Sequence, residues 1–338
     1  MNKKINIYFV ITKEKPSQCG VYDYSKKLFS KFNKKKFNLF FIEVKKWNLA
    51  NLLMVRKKTK SNSVILINYP TVGMGLSMSF LILKLVLLNR RIIFNLHEFD
   101  IFSLYRKLIF LFLSFNSNFL FSNNHDSEVF LKYFPWSYNK IQLIPISSNI
   151  EHYQKKFKQR KGLIFFGHIR KKNGTLDKFL KVCEHIRKIS NMEITILGSF
   201  MEDDLAYKNY IKSKIDTLGI NYFSNLPEDE ISKYLSSHKI ALLPIQNGLS
   251  EKKGSVLACL DHKLIVFSNT GKQSPILLKN LVIDTGSLDD EEITKKIITY
   301  HKTHNNNKIF KNYMLYKNYF NWENVVNSIE QYFATTFH

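Results

Sequence analysis

Short apolar runs, each too brief for a helix and each followed by a longer polar or amphipathic segment, recur along the whole chain and limit the folds open to it. In the front half they are "INIYFVI" from Ile5, "NLFFIEV" from Asn38, "VILINY" from Val64, "RIIFNLH" from Arg91, "NFLFSN" from Asn118 and "IQLIPI" from Ile141. Their Ile, Val and Phe content reads as buried strand, and the segments between them suit crossover helices rather than hairpins. After a polar, basic stretch from Glu151 to Lys161, "EHYQKKFKQRK", which reads as a linker, the rhythm restarts. "GLIFFG", "MEITILG", "KIALLPI", "KLIVFSN" and "NLVIDTG" follow, several ending in glycine or a small polar residue where the chain must turn. The expected fold is therefore α/β, with two similar doubly wound, Rossmann-like halves built on parallel sheets.

Length agrees, because 338 residues suffice for two domains that each bury a core. Apolar residues at 45% and charged residues at 23% exclude a disordered chain. Cys19, Cys183 and Cys259 lie far apart and leave an odd number, which argues against a disulfide framework and a zinc site and for a reducing, cytoplasmic setting. The amino-terminal "MNKKINIYFVITKEKP" alternates like a strand and lacks a small-residue cleavage site, so it is not read as a signal peptide. The apolar runs from Leu76 and Ile101 are interrupted by Lys84, Arg90, Arg91, Arg106 and Lys107, well short of the roughly 20 clean residues that span a bilayer.

The net charge of +24 is uneven, with 24 Lys and Arg against 8 Asp and Glu in residues 1–155. Such a field attracts phosphate, in nucleic acid or at an anionic membrane surface. A composition rich in Lys, Asn, Ile and Phe yields the same excess without a function.

In doubly wound sheets ligands sit beyond the carboxyl ends of the strands, so residues just after each strand carry the information. Gly20 opens a helix after the first strand; without Gly-x-Gly-x-x-Gly, a plain turn and a binding loop both remain open. His97 and Glu98 follow the fourth strand, where an imidazole is either structural or catalytic. "FFGHIRKKNG" places Arg170, Lys171 and Lys172 at another strand end, as a diphosphate clamp or a solvated charge run. In "EKKGSVLACL", Lys252 and Lys253 stand at the point where a helix begins, so backbone amides, the positive helix end and ammonium groups converge on a seat for phosphate.

Taken together these stretches resemble GT-B glycosyltransferases of family 4, of the bacterial surface-polysaccharide type. The likeness rests on "CGVYDYSKKL" at Cys19, "LHEF" at Leu96, "IPISSNI" at Ile144, "FFGHIRKKNG" at Phe165 and "LLPIQNGLSEKKGSVLACLDHKLIVFSNTG" at Leu242, in the family's order and over most of the chain. The resemblance implies an acceptor-binding domain over residues 1–155, a nucleotide-sugar-binding domain over 156–307 facing it across a cleft, and a helical segment over 308–338 crossing back to the first. It implies retaining transfer of a hexosyl group without metal or other cofactor, to a glycan or polyprenyl-diphosphate-linked acceptor; the basic first domain and its apolar runs near Leu76 and Leu108 would then face an anionic inner face of the plasma membrane, or those runs are buried helices. The chain holds no Asp-x-Asp, in keeping with that. Carried over, the catalytic residues are His97 and Glu98. The donor-binding set is Gly20, Gly167, Arg170, Lys172, Gly198, Ser250, Glu251, Lys253, Gly254 and Ser255. Asp23, Tyr24 and Asn149 fall on the acceptor side.

Departures from the family pattern bear on the donor. Two glutamates eight residues apart are usual, and those positions are Ser250 and Ala258 here; the usual lysine falls at Asn173 and a usual glycine at Lys263. The missing carboxylates suit a second reading, an inactive GT-B scaffold in a polysaccharide-assembly complex. A third, nucleic-acid binding, would use the charge and the 17 Tyr and 28 Phe. It finds no RRM, helix-turn-helix or zinc-finger signature, so no nucleic-acid partner is expected.

Overall fold

In a computed structural model, residues 4–13, 19–71, 83–152, 160–201, 203–246, 248–272, 274–303 and 306–337 are described. Most of the linker and the start of the Leu76 run lie outside them. The chain divides into a front unit, Met1–Asn149 with Trp322–His338, and a rear unit, Ile150–Asn321.

The front unit runs β1 (Ile5–Thr12), α1 (Gly20–Lys31), β2 (Phe37–Val44), α2 (Leu49–Lys58), β3 (Val64–Tyr69), α3 (Leu83–Val86), β4 (Arg91–Leu96), α4 (Leu104–Ser114), β5 (Asn118–Phe121), α5 (Asn124–Tyr133) and β6 (Ile141–Leu143). Its six strands are parallel in the order β2-β1-β3-β4-β5-β6. Successive residues of β1 feed opposite faces: Tyr8 and Val10 join one apolar core with Phe94, Phe110 and Phe130, and Ile7 and Phe9 join another with Leu28 and Ile144. Both faces being covered, β3 is buried at all six positions, which is why it reads as a continuous apolar run.

The rear unit runs β7 (Leu163–Phe166), α6 (Thr175–Ile189), β8 (Ile194–Leu197), α7 (Leu205–Thr217), β9 (Asn221–Phe223), α8 (Glu228–Ser237), β10 (Ile240–Leu243), α9 (Gly254–Asp261), β11 (Ile265–Ser268), α10 (Ile276–Leu281), β12 (Ile283–Asp284), α11 (Asp290–Lys302) and α12 (Asn306–Phe320). Its sheet, again parallel, has the order β12-β11-β10-β7-β8-β9. β9 adds one strand to the five legible in sequence; three residues long and at the edge, it leaves no apolar run. The final helix, α13 (Trp322–Phe337), belongs to the front unit, where Val325, Val326, Ile329 and Phe333 complete the core around Ile7 and Phe9.

Both units are doubly wound α/β sheets. Lys263, where the family resemblance expects glycine, has a left-handed backbone with φ 61°, the conformation that glycine adopts without cost. Its ammonium lies 4.4 Å from the Tyr313 ring centre, a cation–π contact.

Candidate functional site

The strand orders locate the place where a ligand fits in each unit. In the rear sheet the chain leaves β7 for β8 and β9 on one side and returns to β10 on the other, so the crossovers diverge between the carboxyl ends of β7 and β10. The segments that begin there are the Gly167 turn after β7 and the loop that leads into α9.

These segments meet. A Cβ built on Gly167 would stand 3.8 Å from both Cβ and Oγ of Ser255, and one on Gly198, after β8, would stand 2.3 Å from the Gly167 carbonyl oxygen. Gly167, Gly198 and Ser255 are thus brought together from three separate strand ends. Beside them, no heavy atom lies within 4 Å of the corresponding point on Gly254, so the first turn of α9 opens on free space. Lys253 is the residue before this helix and makes no side-chain cap bond; Gly254 N donates to Lys252 O and Val256 N to Lys253 O, both at 3.0 Å, which leaves Ser255 N as the first-turn amide that faces a ligand in this reading.

The approach to α9 is held by a second loop. Gly248 has φ 80°, and a Cβ there would lie 2.6 Å from the Gly271 nitrogen, so only glycine lets the two backbones pass. Leu249 N donates to Asn269 O at 2.9 Å, and Ser274 Oγ donates to Leu249 O. Asp284 anchors that second loop by accepting from Thr270 N and Oγ1, both at 2.8 Å, and from Gly286 N at 3.0 Å. Burial alone would raise the Asp284 pKa, but these bonds outweigh it and hold the group below the ordinary range. Ser250 and Glu251 lie half-buried in the turn before α9, where Ser250 O accepts from Lys253 N.

Arg170 and Lys172 are exposed at the β7 strand end, whereas Lys171 between them is engaged by Asp204 at 2.8 Å. Desolvation, then the charge of Arg170, lowers the His168 pKa beside them.

In the front unit, His97 follows β4 and is buried, with its N–H bonded to Tyr69 O at 2.9 Å. Its ring meets Tyr24 edge-on at 5.5 Å, and Tyr24 in turn packs on Trp322 at 5.3 Å. Burial pushes the Tyr24 phenol up, opposed by a hydrogen bond with Asn95, whose amide donates to Asn68 Oδ1 at 2.8 Å. Asn149 Nδ2 donates to Gly20 O at 3.3 Å, while Lys27 Nζ donates to Asn149 O at 3.1 Å. So Tyr24 joins His97, and Gly20 joins Asn149. Glu98 instead has an exposed side chain, and Asp23 is half-buried in the first turn of α1.

Two residues that the motifs did not single out support this end. Trp322 donates from Nε1 to Ser148 O at 2.7 Å, fixing α13 beside Tyr24. Asp126, fully buried, accepts from Asp100 N at 2.9 Å and Asn123 Nδ2 at 2.7 Å, and so holds the segment that carries His97 and Glu98. Asn123, the N-cap of α5, followed three residues later by an acid, is the sequence signal that could have revealed it.

The far end of α9 is set by His262. Its Nδ1 lies 2.7 Å from Ala258 O, its Nε2 lies 2.8 Å from Ser232 Oγ, and its ring stacks on His152 at 5.0 Å. Burial, opposed by the Ala258 bond and reinforced by the charges of His152 and Arg160, holds its pKa down at about 4. The unfolded imidazole protonates near 6.5, so the contribution is complete above that pH and is lost as pH falls toward 4, the loss there reaching about 2–3 kcal/mol. Thermal melts of the wild type are expected to lose stability across that window. His262→Gln should show a shallower fall, and an equal fall in both proteins would remove His262 as the cause.

Among the described residues, no group of three or more His, Cys, Asp or Glu is placed to hold a metal ion. Nor is any helix among them long and apolar enough to cross a membrane.

No protein-family model matches the chain. No curated protein sequence matches it either. Solved structures do. The N-terminal domain of Candida albicans trehalose-6-phosphate phosphatase superposes with a TM-score of 0.70 at 12% identity, covering 98% of this chain and 97% of that one. Anabaena HepE in complex with UDP gives 0.68 at 10% identity over 98% and 100%, and a glycosyltransferase from Rickettsia africae gives 0.66 at 13% over 98% of each. At these identities the likeness establishes the fold.

Proposed function

We propose that this chain is a glycosyltransferase that takes its sugar from a nucleotide-sugar donor, with the rear unit seating the donor diphosphate. The observation that carries the reading is the meeting of Gly167, Gly198 and Ser255 at the switch point of the rear sheet, beside the open first turn of α9. A helix amino end offers amide N–H groups and partial positive charge, the chemistry that a diphosphate needs. The UDP carried by the HepE structure supports the choice of ligand class.

In this reading Lys253, Gly254 and Ser255, with Ser250 and Glu251, form the cradle, and Arg170 and Lys172 flank it. Gly20 is assigned by the family resemblance to donor phosphate or to the acceptor. The bond from the anomeric carbon to the diphosphate oxygen breaks, an acceptor hydroxyl takes that carbon with retention, and its proton passes to the departing diphosphate. The cations of the chain carry the leaving-group charge without a metal. His97 and Glu98 act at the reacting sugar, and Asp23, Tyr24 and Asn149 line the acceptor side. The acceptor class is a glycan or a polyprenyl-diphosphate-linked oligosaccharide at a cytoplasmic membrane face, in bacterial surface-polysaccharide synthesis of the family 4 type.

One observation favours a second reading, a scaffold that binds the nucleotide-sugar without turnover. Ala258, at a usual glutamate position, is buried inside α9, so no carboxylate reaches a ribose from there.

A thermal-shift screen with UDP, GDP, CDP and their sugars tests both. One diphosphate is expected to raise Tm by several degrees, a shift that Lys253→Ala loses. Lys253→Ala should also lower the transfer rate about 100-fold. A ligand-induced shift without transfer to any acceptor selects the scaffold. If no nucleotide shifts Tm while a short DNA or RNA does, the seat on α9 is wrong.

A further inference from the structure

Both ends of the linker close on one buried side chain, His262. The linker enters the rear unit at Glu151 and His152 and passes into β7 from Arg160 and Lys161. At the entry, His152 stacks on the His262 ring at 5.0 Å, and Glu151 O accepts from Ser232 Oγ of α8 at 2.6 Å. At the exit, Arg160 Nη1 donates to His262 O and, at 3.3 Å, to Lys263 O. His262 and Ser232 are 0% and 2% exposed, so the bonds between them are closed to bulk solvent.

The hydrogens across this contact do not add up. Ala258 O, the His262 imidazole, Ser232 Oγ and Glu151 O lie in series, with gaps of 2.7, 2.8 and 2.6 Å, each of hydrogen-bond length. The two carbonyls accept only, a neutral imidazole carries one N–H in either tautomer, and the hydroxyl carries one O–H. Two hydrogens thus face three gaps. With Nδ1–H on Ala258 O, the Ser232 hydrogen serves either His262 Nε2 or Glu151 O and leaves the other without one. An imidazolium brings a third hydrogen, which Nε2 gives to Ser232 Oγ or to Glu151 O, and in both arrangements the linker carbonyl is held. Burial and the charges of His152 and Arg160 keep the ring neutral at about pH 7. From α8 the ring meets the Ser232 hydroxyl, while Glu228 of that helix accepts from Glu151 N at 2.8 Å. Its chain neighbours Asp261 and Lys263 act on Tyr313 of α12.

We propose that Ser232 is a two-position latch on the linker, its hydroxyl shared between Glu151 O and His262 Nε2, so that a proton on His262 fastens the linker and its loss leaves the entry half-held. Bonded to Glu151 O, the hydroxyl ties the linker to α8. Bonded to Nε2, it ties α8 to α9 and leaves the entry to Glu228 and the ring stack. A contact with two nearly equal settings suits a segment that joins two separately packed units, where a fully satisfied bond would fix the chain. The latch goes beyond the transfer reading and stands if that reading fails, since it is measured without donor or acceptor.

The test is limited trypsin cleavage of the full chain at about pH 7.5, read at Lys155, Lys156 and Lys158 of the linker, which lie outside the described residues, with Tm measured for every variant. Ser232→Ala removes the hydrogen and should speed cleavage about three-fold or more. His262→Phe keeps a ring against His152 but no competing nitrogen, so the hydrogen passes to Glu151 O and cleavage should slow by about the same factor. Opposite signs mark a shared hydrogen, because an ordinary buried contact is weakened by either change. The wild type alone supplies a second measurement that needs no variant to fold. Hydrogen exchange of the peptide spanning Glu151 and His152, corrected for its intrinsic rate, should slow about three-fold between about pH 7 and pH 4, while that of β10 does not slow. Faster cleavage of His262→Phe at wild-type Tm, unchanged cleavage of Ser232→Ala, or exchange at Glu151 and His152 that does not slow in acid would each overturn the proposal.

Discussion

An alanine in place of Gly198 is expected to lower folding stability by about 3 kcal/mol and to remove the stabilisation that a nucleoside diphosphate confers. The added Cβ would stand 2.3 Å from the Gly167 carbonyl oxygen and 3.3 Å from Ile169 Cγ1. Neither backbone is free to retreat: Gly167 N donates to Leu197 O and Gly198 N to Phe223 O, both at 3.0 Å, and Ile169 N donates to Ser199 O at 2.9 Å. The turn after β7 must therefore shift, and that turn is the one that meets Ser255. Urea melts and thermal melts with and without UDP measure both effects. A variant with wild-type stability and a wild-type UDP shift would mean that the turn yields easily and that its position does not matter to the seat.

Asp126→Ala is expected to cost about 4 kcal/mol, because the carboxylate is buried and its removal leaves the Asp100 N–H and the Asn123 amide without their acceptor. Asp126→Asn keeps the shape and one acceptor oxygen and should recover part of the loss. The segment that Asp126 holds also carries His97, so transfer should fall further in the alanine variant than the unfolded fraction explains. Loss of stability below about 0.5 kcal/mol would show that the buried bonds are replaced by water or a neighbour.

The difference between these two residues says what sequence can reveal here. A parallel sheet covered on both faces leaves continuous apolar runs, so strands such as Val64–Tyr69 were legible, and with them the strand ends where Gly167, Gly198 and His97 stand. Their mutual contacts were not, because Gly198 and Ser255 come to Gly167 from strand ends distant in sequence. The Asn123 cap marks Asp126 locally, but its bond to the Asp100 amide 26 residues away leaves no local pattern. The run from Ile101 leaves a buried helix and a membrane-facing one both open, and only the structure separates the buried Ile109, Phe110 and Leu113 from the exposed Leu104, Leu108 and Phe112. β9 was missed because an edge strand of three residues, half-buried at best, has no periodicity to read.

The placement of α13 reverses the order in which the two units mature during synthesis. The front unit emerges first, yet Val325, Val326, Ile329 and Phe333 of α13 fill its sheet face against Ile7, Phe9 and Leu28. At roughly 5–20 residues per second, the intervening rear unit delays that helix by about 10–30 s. Through that interval Ile7, Phe9 and Leu28 have α1 but not α13 against them, while the younger half already has every strand of its own sheet.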